Sequence, residues 1–211
     1  MIPILYQDRH MVVCVKPVGV ISQEAGENSL PELLKKQLGL KELSVVHRLD
    51  REVGGVMVFA ASQKAAAALS RSVQERTLEK RYLAVLEGSA PSEGVLEDLL
   101  FHDRQRNKTY VVDRPRKGVK DAKLEFRLRQ EKQGHSLVEV LLHTGRTHQI
   151  RVQFASRKLP LTGDRKYGGS GESVGLWSWK LSLLHPATGV SMTFTQLPPN
   201  EHPWSDFSIE G

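Results

Sequence analysis

The run Lys123-Leu124-Glu125-Phe126-Arg127-Leu128-Arg129 alternates charged and apolar residues without a break. A period of two puts every apolar side chain on one face and every charge on the other, as a half-exposed antiparallel strand requires. Strand patterns also cover 95–100, 109–112, 122–130 and 136–143, several of them alternating in the same way. Consecutive strands with short connections pair side by side in antiparallel fashion, because a parallel crossover needs a dozen or more residues. This half of the chain therefore commits the fold to a sheet.

Helices enter only at the flanks. Ile4 to Asp8 and Met11 to Lys16 read as a strand pair around Arg9-His10, closed by the turn Pro17-Val18-Gly19. Ser29-Leu30-Pro31-Glu32 has capping-box spacing, and Leu30, Leu33, Leu34 and Leu38 form the apolar face of a helix that Gly39 stops. Ser62 caps an alanine-rich helix through about Glu75, which leads into a strand over 81–86. Thr147 is placed to cap a helix running to about Arg157, and Val190 to Thr195 is a late strand. The expected fold is α+β, a mixed and mainly antiparallel sheet with flanking helices. With 211 residues and no linker, repeat or low-complexity tract, one domain over 1–211 is expected.

Composition excludes several classes. No run approaches the roughly 18 apolar residues of a membrane span, and the N-terminus lacks a basic region followed by an apolar one, so a cytoplasmic protein without a membrane partner is expected. Cys14 stands alone, which excludes an internal disulfide and a cysteine-rich zinc site, and its apolar neighbours make it a buried thiol. His143 and His148 are five apart with a glycine between, poor spacing for zinc, so no metal is expected. The net charge is +6, and the stretch 103–132 holds eleven Lys and Arg against five Asp and Glu, so the excess is local. Concentrated positive charge on such a protein points to phosphate-rich partners.

One segment carries chemistry. Ser44 to Ala60 sets the charged cluster His47-Arg48-Leu49-Asp50-Arg51-Glu52 between two runs of strand-like composition, with Gly54-Gly55 after it to allow a tight turn or a close approach. Taken alone, Asp50 is either a turn residue paired with Arg48 or a single presented acid. Four further stretches bear on the choice: Lys80-Arg81-Tyr82-Leu83-Ala84-Val85-Leu86-Glu87-Gly88, Thr144-Gly145-Arg146-Thr147-His148-Gln149-Ile150-Arg151-Val152, Leu161-Thr162-Gly163-Asp164-Arg165-Lys166-Tyr167-Gly168-Gly169, and Leu184-His185-Pro186. In this order, with His47-Arg48-Leu49-Asp50, they resemble the RluA-type pseudouridine synthases over about residues 4 to 197.

The resemblance implies an enzyme that isomerises a uridine in structured ribosomal or transfer RNA, with no cofactor, acting on RNA rather than DNA, and a monomer by default. It implies one α+β domain whose two lobes share a continuous sheet with a central catalytic cleft. Many relatives carry an N-terminal S4 domain, yet only 46 residues precede His47, so none is expected here. By their match to the family motifs, Asp50 is the catalytic carboxylate, Arg151 the basic residue that pairs with it, and Tyr82 the ring that stacks on the target base. Arg48 matches the arginine that fills the place of the extruded base. Lys80, Arg146, Thr147 and His148 are candidate RNA contacts within the motifs, and Arg104, Arg106 and Lys108 are candidates within the basic stretch. The chain departs from the family at Gln153, where histidine is common, and over 156–160. Two other readings stay open: an RNA-binding or remodelling protein that keeps the fold without turnover, and a basic nucleotide hydrolase, which would lack its phosphate-cradling loop.

Overall fold

The computed structural model describes residues 1–210. In chain order its elements are β1 (Ile4–Gln7), β2 (Met11–Lys16), α1 (Leu30–Leu38), β3 (Ser44–Val45), β4 (Gly54–Ala60), α2 (Gln63–Gln74), β5 (Glu79–Glu87) and β6 (Glu93–Asp103). There follow β7 (Lys108–Val112), β8 (Val119–Lys132), β9 (His135–Leu142), α3 (Gln149–Ala155), β10 (Leu176–Leu184) and β11 (Ser191–Thr195). The chain divides into two compact units, one of Met1–Lys80 with Trp177–Pro198, the other of Arg81–Leu176 with Pro199–Glu210.

In the first unit the strands run in the order β1, β2, β4, β10, β11, with β3 also on β4. The pairing of β10 with β4 is parallel, and the unit's other pairings are antiparallel, so the sheet is mixed as expected. The β1–β2 turn is tied by Asp8, whose Oδ1 accepts the N–H groups of His10 and Met11, both at 2.8 Å. Met11, Val13, Val56, Val58, Leu181 and Leu183 meet Ala65 and Leu69 of α2 in one buried cluster. Ser62 caps α2 through the Ala65 N–H at 3.3 Å. Cys14 is a free, buried thiol.

Two features differ from expectation here. Ser29 precedes α1 but makes no side-chain cap, and its buried Oγ has no partner among the described residues. Pro31 stands at the second helical position and supplies no N–H for a cap to accept. Gly54 and Gly55 open β4 and form no turn, but the close approach also expected of them is present. A Cβ on Gly55 would stand 2.1 Å from the Ser178 carbonyl oxygen, and one on Gly54 2.3 Å from the Trp177 ring. The glycines let β10 approach. That strand, with alternating Trp177-Ser178-Trp179-Lys180-Leu181, is not among those expected above, although the alternation is present in the sequence.

In the second unit the order is β5, β9, β8, β6, β7, all antiparallel. Ala122, Leu124 and Phe126 of β8 are buried and Leu128 is half-buried, while Arg127 and Arg129 are exposed, so the alternation decides the faces as read. The apolar face receives α3: Phe154 packs edge-on against Phe126 at 5.2 Å, and Val152 joins Leu100 and Ala122. Thr147 does not cap this helix. His148 holds that position in a left-handed conformation (φ 54°), and α3 ends at Ala155, short of Arg157. Gln149 ties the turn, its Oε1 accepting from the Thr144 hydroxyl at 2.8 Å and the Arg146 N–H at 3.0 Å.

Candidate active site

Asp50 lies in the first unit, on the loop between β3 and β4. The loop is pinned at many points. Ser22 Oγ donates to the Leu49 carbonyl at 2.7 Å and accepts from the Leu49 N–H, the Gly19 N–H donates to the Arg51 carbonyl at 2.8 Å, and the Val53 N–H donates to that of Asp50 at 3.1 Å. Beneath it, Lys16 is fully buried, its ammonium donating to the carbonyls of Pro17 at 2.8 Å and Arg51 at 3.2 Å. Burial pushes the Lys16 pKa down to about 8, against the opposing pull of Asp50 and Glu52. The carboxylate is thus held half-buried on a rigid loop close to a buried cation.

The neighbours of Asp50 divide in role. His47 is buried, and its Nε2 accepts the Val58 N–H at 3.2 Å, which fixes the loop's start to β4. Burial, with the charge of Lys80, drives the His47 pKa down to about 3, so the ring is neutral at pH 7. Arg48 is exposed and donates to Gln23 Oε1 at 2.5 Å. Lys80 is only 8% exposed, a poor position for reaching a phosphate.

Tyr82 and Arg151 lie in the second unit. Tyr82 is on β5 opposite Val140 of β9 and is buried. Arg151, on α3, is 3% exposed, so it is no ordinary surface residue of a helix. Its Nε donates to Asp164 Oδ2 at 2.6 Å and its Nη2 to Asp164 Oδ1 at 2.8 Å. The Tyr167 ring stands 5.4 Å from the guanidinium carbon. Neither Asp164 nor Tyr167 was singled out from the sequence, although both sit in the Gly163-Asp164-Arg165-Lys166-Tyr167 motif.

Around Tyr167 several of the candidate residues meet. Its hydroxyl accepts the Thr109 N–H at 2.8 Å and shares a hydrogen bond with His148 Nδ1 at 2.9 Å. Burial holds its pKa above the ordinary phenol value, so it is protonated at neutral pH. The Thr109 hydroxyl donates to the Thr147 carbonyl at 2.8 Å, and the Lys108 ammonium stands 5.4 Å from the Tyr167 ring. Arg146 Nε donates to the Asp121 carbonyl at 2.8 Å. The segment Arg146-Thr147-His148 is therefore bound into the unit, with His148 buried and Arg146 half-buried. Gln153 is fully buried and donates to Asp98 Oδ2 at 2.7 Å, joining α3 to β6.

The basic stretch separates into two parts. Lys123 pairs with Glu97 at 2.7 Å, and Arg129 with Glu139, which also accepts from Arg81 at 2.9 Å. Between 103 and 120, seven Lys and Arg face two Asp and Glu, and Arg104, Arg106, Arg114 and Lys117 are exposed on the β6–β7 turn and the β7–β8 loop. The uncompensated charge is on that side.

Residues 10–156 match the family described as RNA pseudouridylate synthase. The chain belongs to that family. Similar curated proteins include a ribosomal large subunit pseudouridine synthase D of Xanthomonas campestris, 37% identical over 79% of this chain and 52% of that protein. The protein so named in Neisseria meningitidis serogroup B is 34% identical over 94% of this chain and 58% of its own length. The chain spans a little over half the length of these pseudouridine synthases. Among solved structures, the human RNA pseudouridylate synthase domain containing 4 aligns with a TM-score of 0.76 and 26% identity, covering 93% of this chain and 88% of its own.

Proposed function

We propose that this protein is an RNA pseudouridine synthase that isomerises a uridine in structured RNA, most readily ribosomal large-subunit RNA, with Asp50 as its catalytic carboxylate. The observation that carries the reading is the family match over 10–156, which includes the His47-Arg48-Leu49-Asp50 motif on its pinned loop. The names of the relatives favour the ribosomal substrate over transfer RNA.

In this reaction the bond from uracil nitrogen to the ribose breaks, the base turns, and a bond from carbon to the ribose replaces it. Asp50 serves as nucleophile or as base. Tyr82 stacks on the uracil, Arg151 stabilises the carboxylate, and Arg48 occupies the space left when the base is extruded from its helix, a step that costs a few kcal/mol. The exposed cations of 104–120 hold the RNA backbone, with Arg146, Thr147 and His148 supporting that surface from within.

The test is direct. Purified protein incubated with large-subunit RNA should convert a defined uridine to pseudouridine, and Asp50→Asn should abolish the product while leaving RNA affinity within a few fold, because the amide is nearly isosteric. Clear turnover by Asp50→Asn would remove Asp50 from the mechanism. RNA binding without product from the wild type would instead favour a binding protein.

A further inference from the structure

Asp164 is built into its position more firmly than a counterion needs to be. Its own N–H donates to the Leu161 carbonyl at 3.0 Å, and its carbonyl accepts from Tyr167 at 3.0 Å and Gly169 at 2.9 Å. Gly163 beside it has φ 75°, and a Cβ there would lie 2.0 Å from the Ser173 carbonyl oxygen. One on Gly169 would lie 2.0 Å from that of Leu161. The turn from Leu161 to Gly169 is therefore packed against its own backbone, and the carboxylate it carries has little freedom.

That carboxylate grips Arg151 through two parallel N–H···O bonds, with both side chains almost wholly buried at 3% and 1% exposure. A fork of this kind fixes the plane and the rotation of a guanidinium, which a single contact does not. The Tyr167 ring closes on the same group and is itself held by Thr109 and His148. As a source of stability the arrangement is inefficient, because desolvating two charges cancels much of their attraction and apolar residues of equal volume would serve folding as well. Its distinctive product is orientation.

We propose that Asp164 is the positioning residue for Arg151: it sets the direction of the guanidinium N–H groups outside the fork, on which the part given above to Arg151 in the reaction depends. This rests on the roles given above to Asp50 and Arg151. Asp164→Asn keeps one acceptor but turns a donor toward Nε or Nη2, so the guanidinium rotates.

Single-turnover measurement at saturating RNA separates the possibilities. Asp164→Asn should slow the chemical step by about 10²-fold, the cost of a misplacement on the order of 1 Å, with RNA affinity within about threefold of wild type. The double variant Arg151→Met/Asp164→Asn should be no slower than Arg151→Met alone, since Asp164 acts only through Arg151. A purely structural role would predict additive losses. Arg151→Lys, which keeps the charge and cannot form the fork, covers the case in which Asp164→Asn does not fold, and it should also lose at least about 30-fold. Wild-type rates in Asp164→Asn or in Arg151→Lys, or additivity in the double variant, would overturn the proposal. If Arg151→Met itself reacted at the wild-type rate, the role given to Arg151 would fall first, and if the wild type made no pseudouridine, the functional reading would fall before either.

Discussion

His47 stands three residues before the assigned carboxylate and makes its loop sensitive to acid. Its Nε2 accepts the Val58 N–H, so protonation would set a donor against a donor and place a charge in the core near Lys80. The folded pKa of about 3 is below the ordinary 6.5, so between those values the unfolded chain binds the proton and the folded chain refuses it. The stabilisation is therefore complete above about pH 6.5 and is lost as the pH falls toward 3. Thermal melts followed by circular dichroism from pH 7 to pH 4 should show a falling midpoint. His47→Gln, which cannot titrate, should start lower at pH 7 but fall less. Equal slopes for the two proteins would show that other groups govern the acid limb.

At the scale of elements, the β6–β7 turn and the β7–β8 loop form the exposed cationic edge of the second unit. If about four of these cations meet phosphates, a plot of log affinity against log salt should have a slope near −3 to −4. Replacing Arg104, Arg106, Arg114 and Lys117 by glutamine should flatten that slope and weaken target and non-target RNA alike, because phosphate contacts position without specifying. Lys108 is better left in place, since its ammonium lies against the rings of Tyr110 and Tyr167 and its loss would disturb packing as well as charge. Filter binding at several salt concentrations decides the point: an unchanged slope would mark the edge as solvated surface. The chemical step at saturating RNA should survive, as Asp50, Tyr82 and Arg151, the residues proposed to carry it, are untouched.

For the whole molecule, Cys14 is a natural reporter of opening. Burial at the centre of β2 raises its pKa to about 12, so both access and thiolate are denied in the native state. A thiol reagent at pH 8 should label it negligibly in native buffer and then at a rate that climbs with urea along the unfolding curve. Rapid labelling without denaturant would mean that β2 opens locally, at odds with the buried cluster formed by its neighbours Met11 and Val13.

The sequence by itself determined the elements whose cause is local. Alternation in 123–129 placed β8 and its two faces, Ser62 capped α2, and Gly39 ended α1, because each depends on neighbours a few residues away. It also determined the family, through five motifs whose order survives in the chain without any knowledge of contacts. Only tertiary structure decided the rest. That Gly54-Gly55 admits a strand from residue 177 onward is a contact across more than a hundred residues, which no window on the sequence contains. That Arg151 is buried on Asp164, and not an exposed member of a first helical turn, follows from the packing of α3 and the 161–169 turn. Burial and ion pairing are properties of neighbours in space, and for these residues the neighbours come from distant parts of the chain.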